Sequence, residues 1–179
     1  MTDSSVDLGR RSFLRGKART APDAIRPPWS RADLFTSLCT RCGSCAGACP
    51  ETILRPGDGG FPEVDFSRGE CSFCGACAEA CPEPVFAITA EGTRDGSAAS
   101  YSRPWSHVAA VADTCLSAQR VFCRSCGEAC PESAIRFALA RGGVAQALVD
   151  ASSCTGCGAC VSACPSNSIT MKPGGDRLA

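Results

Sequence analysis

The stretch "CTRCGSCAGACP", Cys39 to Pro50, holds four cysteines spaced C-x2-C-x2-C-x3-C and followed by proline. The same spacing returns as "CSFCGACAEACP", Cys71 to Pro82, and as "CTGCGACVSACP", Cys154 to Pro165. Three thiols this close together on a curled loop can reach three corners of one [4Fe–4S] cube, whose four irons each need one thiolate. The fourth cysteine sits past a helical turn and points away; where two cubes lie side by side, it ligates the neighbouring one. The proline that follows has no N–H and a fixed φ, which suits a sharp change of chain direction.

This is the spacing of bacterial ferredoxin runs. The intervening residues are small. Gly43, Gly75 and Gly158 follow the second cysteine, and Ala48, Ala80, Ala129 and Ala163 precede the last. Small side chains let backbone N–H groups approach the sulfurs and stabilise their negative charge. Zinc sites instead use C-x2-C pairs separated by a longer loop, and eight disulfides would belong to a secreted mini-protein.

A third run departs from the pattern. Cys115, Cys123, Cys126 and Cys130 precede Pro131, but "LSAQRVF" separates the first two thiols, and Arg124 stands where the other runs have glycine. A longer loop adds little closure entropy, and every one of the sixteen cysteines falls into one of the four groups. A fourth [4Fe–4S] cluster is therefore feasible. A three-iron cluster, or a labile one with Cys115 unused, is the alternative, which leaves the count at four or three. If the cluster forms, Arg124 is expected to raise its potential above the others; a redox titration placing it lowest would reject that.

Sixteen cysteines in 179 residues, with aromatics at only 6%, describe a chain that does not rely on an ordinary hydrophobic core. Metal binding would supply the missing stability. The 18 basic and 18 acidic residues balance, so nucleic acid is not an indicated partner. No stretch approaches the roughly 18 apolar residues of a membrane span.

The chain is internally duplicated. "RPPWS", Arg26 to Ser30, recurs as "RPWS", Arg103 to Ser106, and each tryptophan precedes its first cysteine by ten residues: Trp29 to Cys39, Trp105 to Cys115. After runs one and three come "ETILRPGDGGFPEVDF" and "ESAIRFALARGGVAQALV", each with apolar stretches around a Gly-Gly turn. That pattern predicts two short β-hairpins. The expected fold is small and α+β: two tandem 2[4Fe–4S] ferredoxin-like modules with short hairpins and short helices, organised by their clusters. The divisions are a basic arm, 1–26; module 1, 27–90; a Gly/Ser-rich linker, 91–102; module 2, 103–172; and a tail, 173–179.

Crossover of the fourth cysteine assigns the ligands within each module. Cys39, Cys42 and Cys45 group with Cys81, and Cys71, Cys74 and Cys77 with Cys49. Cys115, Cys123 and Cys126 group with Cys164, the least secure set, and Cys154, Cys157 and Cys160 with Cys130. The two tryptophans are expected to pack each against its own half, and His107, the only histidine, to be a surface residue beside Trp105. Neither an acid–base constellation nor a phosphate-binding glycine loop is visible, so no catalytic residue is assigned and the chain does not read as an enzyme.

Residues 1–31 carry seven Arg/Lys against three Asp, a basic end on an acidic body. This reads as a docking arm or as solvated chain. "GRRSFLRGKART", Gly9 to Thr20, opens like a twin-arginine export signal, but charges and Pro22 interrupt the apolar segment such a signal needs. The expected location is the cytoplasm, where thiols stay reduced.

Taken together, several segments resemble the NapF family, the ferredoxin-type accessory proteins of periplasmic nitrate reductase systems. They are the Arg10–Arg11 start without a signal core, "IRPPWS" before the first run, and "CTRC" at Cys39–Cys42. "GGFP" in the first hairpin, "ECSFC" and "ACAEACPE" around Cys71–Cys81, and "CLSAQRVFCRSC" with its wide gap complete the set. The resemblance implies a soluble cytoplasmic protein with up to four [4Fe–4S] clusters. It also implies contact with the precursor of the molybdenum-containing catalytic subunit before export, in its maturation or cluster assembly. A general soluble polyferredoxin feeding a reductase, or an electron-transfer subunit held permanently in a larger enzyme, would use the same clusters.

Overall fold

A computed structural model describes residues 24–89, 92, 93, 104–139 and 145–173. Most of the basic arm and of the linker, and the tip of the second hairpin, lie outside these. Every regular element among the described residues is short. Helix α1, Phe35–Leu38, leads into the first cysteine run. Each run then contributes one helical turn between its third and fourth cysteines: α2, Ser44–Gly47; α3, Ala76–Glu79; α4, Ser125–Glu128; and α5, Ala159–Ser162. Four residues are far fewer than the 12 or so an isolated helix needs, so what holds these turns is their packing. α2 packs on α3, and α4 on α5.

Both expected hairpins are present. Strand β1, Leu54–Pro56, pairs antiparallel with β2, Pro62–Val64, in the register Leu54↔Val64. A shorter pair joins β3 (Ile88–Thr89), at the end of expected module 1, to β4 (Gly92–Thr93), within the expected linker. In the second half β5 spans His107–Val111, β6 Ile135–Leu139 and β7 Ala145–Val149. β6 pairs with β7, Ile135 opposite Val149. The last strand, β8, covers Ile169–Pro173 and pairs with β5 from His107↔Pro173 to Val111↔Ile169, one residue past the expected end of module 2.

The corresponding first-half segments make only one bridge, Ser30↔Phe86, supported by Ala87 N–H to the Trp29 carbonyl (2.8 Å) and Arg31 N–H to that of Val85 (2.9 Å). Pro27 and Pro28 cannot donate ladder bonds, and Trp29 has a φ of 59°, so a strand cannot propagate there. The assigned arm also ends earlier than expected. The Ile25 carbonyl accepts from Val64 N–H at 2.8 Å, and the Arg26 guanidinium lies 5.5 Å from the rings of both Phe35 and Phe61.

Two cores form. The first buries Trp29, Phe35, Ile53, Phe61, Phe66, Val85 and Phe86; the second is smaller and centres on Ala109, Ile135 and Ile169. Both contain cysteines, and Val161 and Met171 touch both. The tryptophans correct one expectation. Trp105, besides lying beside His107 of its own half, packs against the first core, its indole N–H donating to the Arg26 carbonyl at 2.9 Å, while the Trp29 backbone N–H donates to the Pro104 carbonyl at 3.0 Å. The two aromatics therefore lace the halves together. His107 corrects a second: it is buried, its ring 4.7 Å from that of Trp105 and 6.2 Å from Phe66. The first residue of β5 is enclosed because the seam between the halves closes over it.

Candidate functional site

All sixteen cysteines are free thiols. Cys39, Cys42 and Cys45 line one hollow together with Cys81, walled by Phe35, Pro62 and Phe86. Cys49 lies elsewhere: it lines a second hollow with Cys71, Cys74 and Cys77, beside Ile53 and Leu54. Cys130 likewise leaves its own run and joins Cys154, Cys157 and Cys160 around a third, with Ala109, Ile135 and Met171. The one-turn helices produce this exchange. In α2 and α3 the third cysteine lines its own loop's hollow while the fourth, one turn on, lines the next, and α4 hands Cys130 on in the same way.

The atypical run is assembled from separate pieces. Cys115 and Cys123 stand close enough to Cys126 to disfavour its ionisation. Cys164 lies on a loop tied to this region by a 2.9 Å hydrogen bond between the hydroxyls of Thr114 and Ser168, and by Ala112 N–H to the Ser168 carbonyl at 2.8 Å. The extra residues fold back on themselves: Gln119 N–H meets the Cys115 carbonyl at 2.9 Å and Val121 N–H that of Leu116 at 2.8 Å. Ser117 is buried against the Cys115 sulfur, 3.3 Å away, whereas Phe122 is lifted out, 81% exposed.

Backbone conformation explains the small residues. Gly43, Gly75 and Gly158 begin their helical turns in the left-handed region, φ 80°, 78° and 87°. Arg124, at the same place in run three, has φ −133°. A Cβ disfavours the left-handed conformation, so this loop takes another course, and the Arg124 guanidinium comes to lie 5.8 Å from the Phe122 ring and 5.1 Å from that of Phe137. The glycines are not equivalent, however. A Cβ at Gly43 meets open space, while at Gly158 the Phe66 ring fills the position. Gly43→Ala is expected to lower stability by about 1–2 kcal/mol, and Gly158→Ala by about 1–3 kcal/mol more for displacing Phe66. Thermal unfolding of the two anaerobic variants would check the ranking.

The thiols' environment disfavours charge. Burial, then the neighbouring Cys81 and Cys39, pushes Cys45 up to about 11. Burial lifts Cys71 to about 12 against a backbone hydrogen bond from Phe73, and lifts Cys77 and Cys160 to about 12, each reinforced by nearby thiols. Burial also raises Cys81, Cys126 and Cys157. On Cys164 burial acts upward too, but hydrogen bonds from the Ser168 backbone and from Ser166 together outweigh it and lower the thiol. The exposed Cys42 is lowered by the hydroxyl and N–H of Ser44. Clustered, half-buried sulfurs that repel one another when ionised form a donor set suited to a cationic iron centre, whose binding would release their protons.

N–H groups aimed at sulfur add to this fit: Phe73 to Cys71 at 3.4 Å, Ala134 to Cys130 at 3.3 Å and Ser168 to Cys164 at 3.3 Å. Among the described residues no three His, Cys, Asp or Glu side chains converge as a single metal ion would require. A lone zinc pulls its thiolates to about 2.3 Å; here the sulfurs ring a hollow instead. Sequence reasoning missed the aromatics that join the sites, Phe66 and Phe73. The only sequence signal was a phenylalanine between the first two cysteines of run two.

Comparison with known proteins agrees with this chemistry. The 4Fe–4S dicluster domain family matches residues 38–85 and again 119–173, the second match beginning after Cys115. The chain is 47% identical over 176 residues to the ferredoxin-type protein NapF of Haemophilus influenzae, an alignment covering 92% of this chain and 94% of that one. It is 41% identical over 168 residues to the ferredoxin-type protein NapF of Escherichia coli K12, covering 93% and 96%. Among the described residues no helix is long and apolar enough to cross a membrane.

Proposed function

From its membership of the NapF family of ferredoxin-type iron–sulfur proteins, we propose that this chain is an electron-transfer accessory protein acting in the cytoplasm. It serves the maturation or cluster assembly of the precursor of the periplasmic nitrate reductase catalytic subunit before export. Two tandem ferredoxin-like modules hold four [4Fe–4S] clusters, on Cys39/Cys42/Cys45/Cys81, Cys71/Cys74/Cys77/Cys49, Cys154/Cys157/Cys160/Cys130 and Cys115/Cys123/Cys126/Cys164. The interlocking of thiols in fours carries the reading: a fourth cysteine carried past its own loop is what a two-cluster module needs.

When bound, the clusters supply one-electron redox chemistry with little rearrangement. The protein's part is to bind, shield and tune. Phe35, Ile53 and Ile135 exclude water, and N–H groups from Phe73, Ala134 and Ser168 favour thiolate charge. Arg124, held over Phe122 and Phe137, places a permanent positive charge beside the third run. The third-run cluster is accordingly expected to have a higher potential than the others, and Arg124→Gln to lower it; an anaerobic redox titration followed by EPR measures both.

Iron and sulfide analysis of anaerobically prepared protein is expected to give about sixteen irons; about twelve would leave the third run empty. For the function, the cytoplasmic precursor is captured with and without its export signal, and its cluster content compared in cells lacking this protein. A fully assembled, active reductase in those cells would discard the maturation role and favour a general carrier. Deleting residues 1–23, which spares the Ile25 carbonyl bonded to Val64, is expected to weaken precursor capture while leaving iron content unchanged. Unchanged capture would make the basic arm mere solvated chain.

A further inference from the structure

The four-cysteine hollows are tied to one another across the two halves at one place. Cys71 N–H donates to the Cys157 carbonyl at 2.8 Å, so a residue of run two is hydrogen-bonded to a residue of run four. Around this contact the seam is aromatic. Phe66, 5% exposed, fills the space above Gly158, between the second and third cysteines of run four. Phe73, between the first two cysteines of run two, lies 5.6 Å from Trp105, whose ring is 5.8 Å from Phe66. Run one packs on run two through the helices carrying Cys45 and Cys77, and run three on run four through those carrying Cys126 and Cys160.

We infer that this seam is the electron-transfer junction between the halves: it sets the run-two and run-four quartets side by side as the inner pair and leaves the run-one and run-three quartets as outer terminals. The inference rests on the cluster-carrying function proposed above. Cys71 and Cys157 supply a direct route, a single hydrogen bond between two cysteine-bearing loops. Phe66 and Trp105 are positioning residues that hold the loops together. Clusters held on the two sides would exchange a single electron with no bond formed or broken and no proton moved; the chain's part is to hold the two loops together. Both outer quartets then offer a contact with a different partner. The run-three set does so beside the exposed Phe122 and the run-one set through the exposed Cys42, although Cys74 of the inner run two is exposed as well.

The test uses the full chain with the outer quartets broken, Cys42→Ser with Cys123→Ser, prepared anaerobically, assayed for iron and reduced with dithionite. The expected result is about eight irons and an EPR signal broadened and split by interaction between the two remaining reduced centres. In the same background Phe66→Leu, which shrinks the side chain packed over Gly158, is expected to reduce the splitting at unchanged iron content, an effect that loss of stability alone would not produce. About eight irons with two unbroadened, independent signals would overturn the junction and leave the cluster-carrying reading standing, whereas iron-free parent protein would overturn both. A second measurement is independent of whether the double variant folds. Hydrogen exchange on the loaded parent chain is expected to show the Cys71 amide exchanging at least about 100-fold more slowly than an open amide. A Cys71 amide exchanging at the open rate would overturn the junction.

Discussion

Removing the iron, by chelation after mild oxidation, is expected to unfold this protein outright, with loss of far-UV structure and of any cooperative thermal transition. The secondary structure cannot stand without it. The described helices are four residues long and the strands two to five, and both lie below the lengths that persist alone in water. The buried apolar side chains are divided between two cores, and the second relies on alanine and cysteine for much of its lining. Without a cation, thiols such as Cys71, Cys77 and Cys160, pushed up to about 12, remain protonated at neutral pH and merely occupy space. With the metal present, each quartet joins segments more than about twenty residues apart in sequence, and binding energy becomes folding energy. Circular dichroism and calorimetry of loaded and stripped samples, handled without oxygen, would decide the matter. A stripped protein that still melts cooperatively near the loaded midpoint would show that packing alone suffices.

Replacing one ligand should have very unequal consequences in different runs. Cys160→Ser is expected to remove about four irons and to destabilise the chain by more than about 4 kcal/mol, the range reserved for loss of a metal site or a collapsed core. Cys160 is buried in the second core and packs beside Cys126 on the facing helix, so its loss opens the shared wall of two quartets. Cys123→Ser should also cost about four irons but far less stability. That residue sits on a loop flanked by the exposed Val121 and Phe122, and only its 3.8 Å contact with Ser125 ties its sulfur locally. Iron content and thermal midpoint, measured on the same preparations, separate the two effects. Equal midpoints would mean that run three is as integral to the fold as run four.

The sites were legible in the sequence because iron–sulfur ligation dictates local spacing. Three thiols must reach one cube, and a turn must carry the fourth away. The hairpins were legible for the same local reason, as apolar stretches flanking glycine turns. The meeting of the halves was not. That Trp105 enters the first core, or that His107 is enclosed, depends on contacts between residues about forty to eighty positions apart. No periodicity encodes such contacts. Arg124 shows the boundary clearly. Its occurrence in place of glycine was visible; the altered φ and the stacking between Phe122 and Phe137 follow only from the folded loop.

The exchange of tryptophan contacts has a consequence for how this protein can change. A gene made by copying one unit begins with two interchangeable parts, each able to live alone. Here the indole of the later copy hydrogen-bonds to the Arg26 carbonyl and packs against the earlier copy's core, while among the described residues the earlier copy's corresponding segments are joined by a single bridge. The copies have become mutually dependent, so neither can be lost, swapped or duplicated again without stranding an aromatic ring of the other in water.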